Sequence, residues 1–245
     1  MSDSGKNIKL QLTKSQKQIR LRLLEILYKA DSSHIGSCLS VIDLIDSVYA
    51  VKKKNEKFIL SSGHTGAALY VVLEKYGFLK NPDIKRLGVH PDRNPKIGID
   101  ASTGSLGQGL PIAVGMAISD RSKNVYCLIS DGECAEGSMW ESFRIIQDFK
   151  ITNLKIVLSV NGWGAYDPIS PKILKKRLKG FDFLIHDVDG HDMTDIKENV
   201  RAMNTKPTIL FAQTNSEQLP FLQGVDAHYH KMTDIEYKEA RTYLL

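Results

Sequence analysis

Two residues of this chain, Asp131 and Asn161, offer hard oxygen atoms at matching places in its sequence. Asp131 follows the apolar run Val125-Tyr126-Cys127-Leu128-Ile129 and opens Asp131-Gly132-Glu133; Asn161 closes Ile156-Val157-Leu158-Ser159-Val160 and opens Asn161-Gly162-Trp163. One carboxylate, one amide oxygen and nearby backbone oxygens suit Mg²⁺ or Ca²⁺ holding a diphosphate, and do not suit zinc. Three histidines, His34, His64 and His90, lie in polar or glycine-rich turns. Uncoordinated imidazoles donate hydrogen bonds to ligand oxygens and carry protons. A lone turn histidine is more often structural, but three of them beside a metal-type pair shift the balance toward a site. Their spacing excludes an H-x-x-x-H zinc helix.

The elements that position these residues read as follows. Both apolar runs are buried strands, and the helix-length segment between them makes a β-α-β unit. In a parallel α/β sheet the carboxyl ends of the strands are where ligands bind. Upstream, Thr13 caps a helix with Ile19, Leu23, Leu24, Ile26 and Leu27 at helical spacing. A polar turn, 31–36, leads to a second helix with Leu39, Ile42, Leu44, Ile45 and Val48 buried. A short strand, 58–60, runs into Ser61-Ser62-Gly63-His64 and a helix over 67–76. The stretch 81–108 is a long Gly- and Pro-rich loop of the kind that is usually functional. It leads to a small-residue helix at 113–117, and later strands fall at 184–188 and 208–212, joined by a helix over 193–204. The pattern predicts an α/β fold, a three-layer parallel sheet flanked by helices, as a single domain over 1–245 with residues 1–12 flexible.

Composition excludes several classes. A 42% hydrophobic share supports a core, and a net charge of +5 is too scattered for a nucleic-acid surface. The main basic cluster, Lys172 to Lys179, reads as a solvated helix face. Cys38, Cys127 and Cys134 are odd in number and unpaired by spacing, which points to a reducing compartment. The polar amino terminus has no apolar signal core, and no run approaches the about 18 apolar residues of a membrane span. The expectation is a cytoplasmic protein that binds neither nucleic acid nor membrane.

Each motif has a plainer reading. Gly104, Gly107 and Gly109 do not match G-x-G-x-x-G, so alone they make a tight turn; beside the Asp131–Asn161 unit they become a close-approach wall for a flat ring. Asp131 alone is a helix cap, Glu136 a first-turn acid, and Asn161-Gly162 a turn. Those readings leave unexplained why all three fall across one β-α-β unit.

Taken in order, the motifs resemble the thiamine-diphosphate-binding half of the transketolase family, over about residues 15 to 240. Ser33-His34-Ile35-Gly36 resembles S-G-H-P-G, Leu60-Ser61-Ser62-Gly63-His64 resembles L-S-x-G-H, and His90-Pro91-Asp92 resembles H-P-E. Gly98 to Gly109 is similar to G-V-E-T-T-T-G-P-L-G-Q-G. Asp131-Gly132-Glu133-Cys134-Ala135-Glu136-Gly137, with Trp140-Glu141 and Asn161, resembles D-G-E-x-x-E-G…W-E…N, and Asp189-Gly190-His191-Asp192 resembles D-G-H-D. Departures are Ser130 for the first glycine of G-D-G, Ile35 for proline, Ser159 where Asp is common, and Thr214-Asn215-Ser216-Glu217-Gln218 for T-K-G-K-G.

The resemblance implies the diphosphate-binding domain of thiamine-diphosphate enzymes. By it, Asp131, Asn161 and the Trp163 carbonyl hold Mg²⁺ (or Ca²⁺); Gly132, at a helix start, and His64 meet the diphosphate; and Gly104 and Leu106 line the cofactor. His34, His90 and His228, rather than His230, face the sugar, and Glu136 sits at a subunit interface. The family continues into a pyrimidine-binding domain, whereas this chain stops at Leu245. The implied protein is therefore the N-terminal subunit of a split transketolase, paired with a C-terminal subunit in an α₂β₂ assembly. It would transfer a two-carbon ketol unit from a ketose (phosphate) to an aldose. A related acyloin-forming or decarboxylating enzyme, and a non-catalytic partner-binding subunit, are the alternatives.

Overall fold

The structure, a computed structural model, describes residues 10–164, 167–203, 205–224 and 226–245. α1 (Lys14–Lys29) starts at a capping box, in which the Thr13 hydroxyl accepts the Gln16 N–H and the Gln16 amide oxygen accepts the Thr13 N–H. α2 (Ile35–Val51) begins inside the stretch read as a polar turn, because His34 adopts a left-handed backbone (φ 67°, ψ 25°) that reverses the chain at once. β1 (Lys57–Leu60) leads through a 3₁₀ turn, Gly63–Thr65, into α3 (Gly66–Lys75). The expected long loop is partly ordered: it holds α4 (Ile84–Leu87), capped by Asp83, and a bridge between Asn94 and Ile99.

α5 (Gly109–Ser119) precedes β2 (Val125–Ser130), and a 3₁₀ turn, Gly132–Ala135, separates β2 from α6 (Gly137–Asp148). β3 (Leu154–Val160), α7 (Pro171–Lys179), β4 (Leu184–Asp189), α8 (Met193–Ala202) and β5 (Thr208–Gln213) follow. The chain closes with α9 (Asp226–Tyr229) and α10 (Asp234–Leu244). The expected flexibility of residues 1–12 falls outside the described residues as far as residue 9, as does the expected helix end at Asn204.

The strands lie in the order β1-β2-β3-β5-β4, and all their pairings are parallel. Side chains alternate between the two faces of the sheet, as the period of a strand requires. Phe58, Leu60, Tyr126, Leu128, Val157 and Leu210 pack in one core with α1, α2, α3 and α8. Ile59, Cys127, Ile129, Ile156, Leu158 and Phe211 pack in another with α5, α6 and α7. Burial on both faces explains the near-continuous apolar runs of β2 and β3. The expected three-layer parallel sheet flanked by helices is the observed architecture.

A buried polar network fixes the loop after β5. Arg20 in α1 donates to Asp43 in α2, and His191 Nδ1 lies 2.9 Å from the same carboxylate. The Asn215 N–H donates to His191 Nε2 at 3.0 Å, so a neutral His191 carries its proton on Nδ1 and gives it to Asp43. Burial would raise the Asp43 pKa, but Arg20 and His191 hold it below its ordinary value. The segment that departs from T-K-G-K-G is thereby anchored to α1 and α2.

Candidate functional site

Parallel pairing brings the carboxyl ends of β1, β2 and β3 to one edge. Ser130 is level with Ser159, so Asp131 and Asn161 leave neighbouring strands almost side by side. A cavity of about 170 Å³ opens at this edge. Asp131, Gly132, Asn161 and Trp163 line it together with His34, His64, His228, Gly104 and Leu106. A larger cavity, about 280 Å³, between α1, α10 and residues 217–220 holds none of the expected residues.

Asp131 is 1% exposed. Its Oδ1 accepts the Gly132 N–H at 3.0 Å and its Oδ2 accepts the Gly162 N–H at 2.8 Å. Burial pushes its pKa up to about 7, against the pull of those backbone donors. Asn161 Oδ1 accepts the Trp163 N–H at 2.9 Å. The Trp163 carbonyl oxygen lies beside Gly132, 3.7 Å from where a Cβ would stand.

This donor set fits a hard cation: one buried carboxylate in no ion pair among the described residues, one amide oxygen and one main-chain carbonyl. Among the described residues no group of three or more His, Cys, Asp or Glu is placed to hold a metal. A cation here would depend on amide and backbone oxygens and on the phosphate it accompanies. Gly132 differs from the expectation. It opens a 3₁₀ turn, and α6 starts only at Gly137, so its amide belongs to a tight turn and not to an α-helix end.

The imidazoles of His34, His64 and His228 form a triangle with ring centroids 5.3, 5.0 and 5.5 Å apart. The His34 N–H donates to the His228 carbonyl at 3.2 Å, which ties α2 to α9. Burial, then the neighbouring imidazoles, press His34 down to about 4 and His64 to about 3; burial also lowers His228. The lowered values leave His34 and His64 neutral at pH 7, and Ser33 Oγ lies 3.0 Å from His34 Nδ1. His230 lies outside the triangle, against Phe221 and 3.1 Å from Glu236.

His90 is exposed at the rim, its ring packed where a Cβ on Gly104 would clash at 2.8 Å. Glu136 is exposed as the N-cap of α6, beside Gly107 and outside the cavity. Ser37 and Tyr229 are among the lining residues that escape a reading of the sequence. Ser37 reaches within 3.4 Å of His228 Nδ1, and Tyr229, 52% exposed, stands edge-on to His34 and His228 at the mouth. No local pattern marks either; the approach of α9 to α2 creates both contacts.

Fold and site define the class, an α/β domain with a polar, histidine-walled cavity at the carboxyl edge of a parallel sheet. Comparison with known proteins supplies the family. The profile described as "Transketolase, thiamine diphosphate binding domain" matches residues 12–243, and the chain belongs to this family. It is 30% identical over 251 residues to one subunit of the apulose-4-phosphate transketolase of Phocaeicola vulgatus, spanning 90% of this chain and 89% of that one. It is 31% identical over 232 residues to human transketolase, covering 84% of this chain but 37% of the human protein. Among solved structures, transketolase from Campylobacter jejuni superposes with a TM-score of 0.78 at 23% identity, covering 95% of this chain and 43% of that one. These likenesses establish a transketolase-family thiamine-diphosphate-binding domain.

Proposed function

We propose that this chain is the cofactor-holding subunit of a two-component transketolase, moving a two-carbon ketol unit from a ketose phosphate to an aldose. The observation that carries the reading is the meeting of Asp131, Asn161 and His64 around one cavity. Bound thiamine diphosphate supplies a carbon nucleophile for the donor carbonyl. In this reading Asp131, Asn161 and the Trp163 carbonyl hold Mg²⁺ (or Ca²⁺) against the diphosphate. Gly132 N–H and His64 donate to phosphate oxygens, and Gly104 and Leu106 allow close approach of the rings. His34, His90 and His228, at the open side, bind sugar hydroxyls and move protons among them. Glu136, exposed beside the Gly107 turn, meets another subunit.

A separate pyrimidine-binding subunit is supported by the Phocaeicola vulgatus relative, which is named as one subunit of its transketolase and whose length this chain nearly spans. That relative's name also supports a ketose phosphate donor. An α₂β₂ assembly in the cytoplasm, with residues 1–245 acting as one domain, completes the proposal. Three free, buried cysteines fit a reducing compartment. No helix among the described residues is long and apolar enough to cross a membrane.

The test is reconstitution with a pyrimidine-domain chain and assay on a panel of ketoses, alongside calorimetry with thiamine diphosphate and Mg²⁺. Ketol transfer is expected only from the pair. Transfer by the purified chain alone would remove the two-component reading, and absence of cofactor binding even in the pair would remove the cofactor reading.

A further inference from the structure

Glu133 has no part in the scheme above, yet it is fully buried, at 0% exposure. Its carboxylate collects donors from three separate segments. Oε1 accepts the Ser61 hydroxyl at 2.6 Å and the Gly107 N–H at 3.1 Å; Oε2 accepts the Ser130 N–H at 3.0 Å. Ser61 follows β1 and leads to His64. Gly107 sits in the turn that carries Gly104 and Leu106. Ser130 ends β2 and precedes Asp131. One side chain therefore touches every loop that brings a cofactor-facing residue to the cavity from the first two strands.

The surroundings show how tightly these loops meet. A Cβ on Gly109 would stand 2.5 Å from Ser61 Cα, and one on Gly63 would stand 2.6 Å from Gly104 N. The Thr103 hydroxyl donates to the Leu60 carbonyl at 2.6 Å, and the Ser138 hydroxyl donates to the Gly107 carbonyl at 2.7 Å. Backbone packs on backbone, leaving Gly107 buried and Ser130 half-buried. Burying an acid without a cation opposes folding. What the acid does here is offer two acceptor oxygens, one to each of these backbone N–H groups.

We propose that Glu133 is the positioning residue of the cofactor site: its carboxylate locks the β1 loop, the Gly104–Gly109 turn and the end of β2 into one edge. His64, Leu106 and Asp131 then present a fixed surface to the same ligand. This rests on the thiamine-diphosphate reading above for the ligand, but not for the lock.

The discriminating variant is Glu133→Gln. It keeps size and shape but has one acceptor oxygen, so its NH₂ must face either the Gly107 or the Ser130 N–H. Calorimetry with thiamine diphosphate and Mg²⁺ should show binding about 10- to 100-fold weaker at unchanged stoichiometry. Hydrogen exchange in the free protein should be at least about tenfold faster at Gly107 or Ser130. A merely structural role would reduce the fraction of competent protein and leave the affinity of the remainder alone, and that result overturns the proposal. Wild-type affinity with wild-type exchange overturns it too. If the unmutated chain binds no cofactor, the cofactor reading fails while exchange in the free protein still decides the lock. Should Glu133→Gln not fold, Glu133→Asp keeps both oxygens but is one methylene shorter and cannot reach all three loops at once. It should weaken binding similarly, and wild-type affinity there overturns the lock.

Discussion

Asp131→Asn should strengthen the free fold above neutral pH while removing metal-dependent cofactor binding. In the free chain the carboxylate is 1% exposed; burial outweighs its backbone donors, the Gly162 and Gly132 amides foremost, and leaves its pKa at about 7 against an ordinary 3.8. A raised folded pKa means that the stability this group contributes is complete below pH 3.8 and is lost as pH rises through about 7. At about 1.4 kcal/mol per pH unit, wild type gives up ~4 kcal/mol across that window, of which ~3 falls between about pH 5 and 8. Asn has no such slope. Its NH₂ must face one backbone N–H, at a cost of about 1–3 kcal/mol. The variant should therefore be less stable than wild type by about 1–3 kcal/mol at about pH 5 and match or exceed it by up to about 2 kcal/mol at about pH 8. Urea denaturation in chelator at the two pH values measures the swing. Thiamine diphosphate and Mg²⁺ at about a hundred times Kd should then add about 2.7 kcal/mol to wild type and nothing to the variant. A variant whose relative stability falls across that pH range would refute the argument, since the ionised carboxylate would then be stabilising the fold.

Two further outcomes follow from the same edge of the sheet. The His34 and His64 imidazoles, lowered from 6.5 to about 4 and about 3, should remain neutral down to about pH 5. The unfolded chain takes up those protons first, so stability from this source falls as pH drops below 6.5; imidazole ¹⁵N shifts showing a midpoint above about 6 would contradict it. Gly63→Ala drives a Cβ to 2.6 Å from the Gly104 backbone, and should cost about 1–3 kcal/mol while weakening cofactor binding. The control is Gly115→Ala in α5, where nothing lies within 4 Å; it should stabilise by up to about 1 kcal/mol in thermal unfolding.

Much of this protein is legible in its sequence because the signals are local. Apolar runs of strand length, the Thr13–Gln16 capping box and the glycine punctuation each depend on residues a few positions apart. They place Asp131 and Asn161 on strand ends before any fold is known. The ordered motifs then carry the family and, with it, the expected histidines. Contacts that depend on how faces pack are not legible. Nothing local says that β5 enters between β3 and β4, or that α9 returns to α2 and seats His228, not His230, beside His34. Gly132 reads as a helix start because a strand followed by a polar turn and a helical pattern does not reveal a 3₁₀ step between them. Glu133 enters the reading of the sequence only as part of the Asp131-Gly132-Glu133 motif, with no role of its own. Only the close approach of three backbone loops makes it a buried acceptor, because hydrogen bonding across Ser61, Gly107 and Ser130 is a property of tertiary packing, not of spacing along the chain.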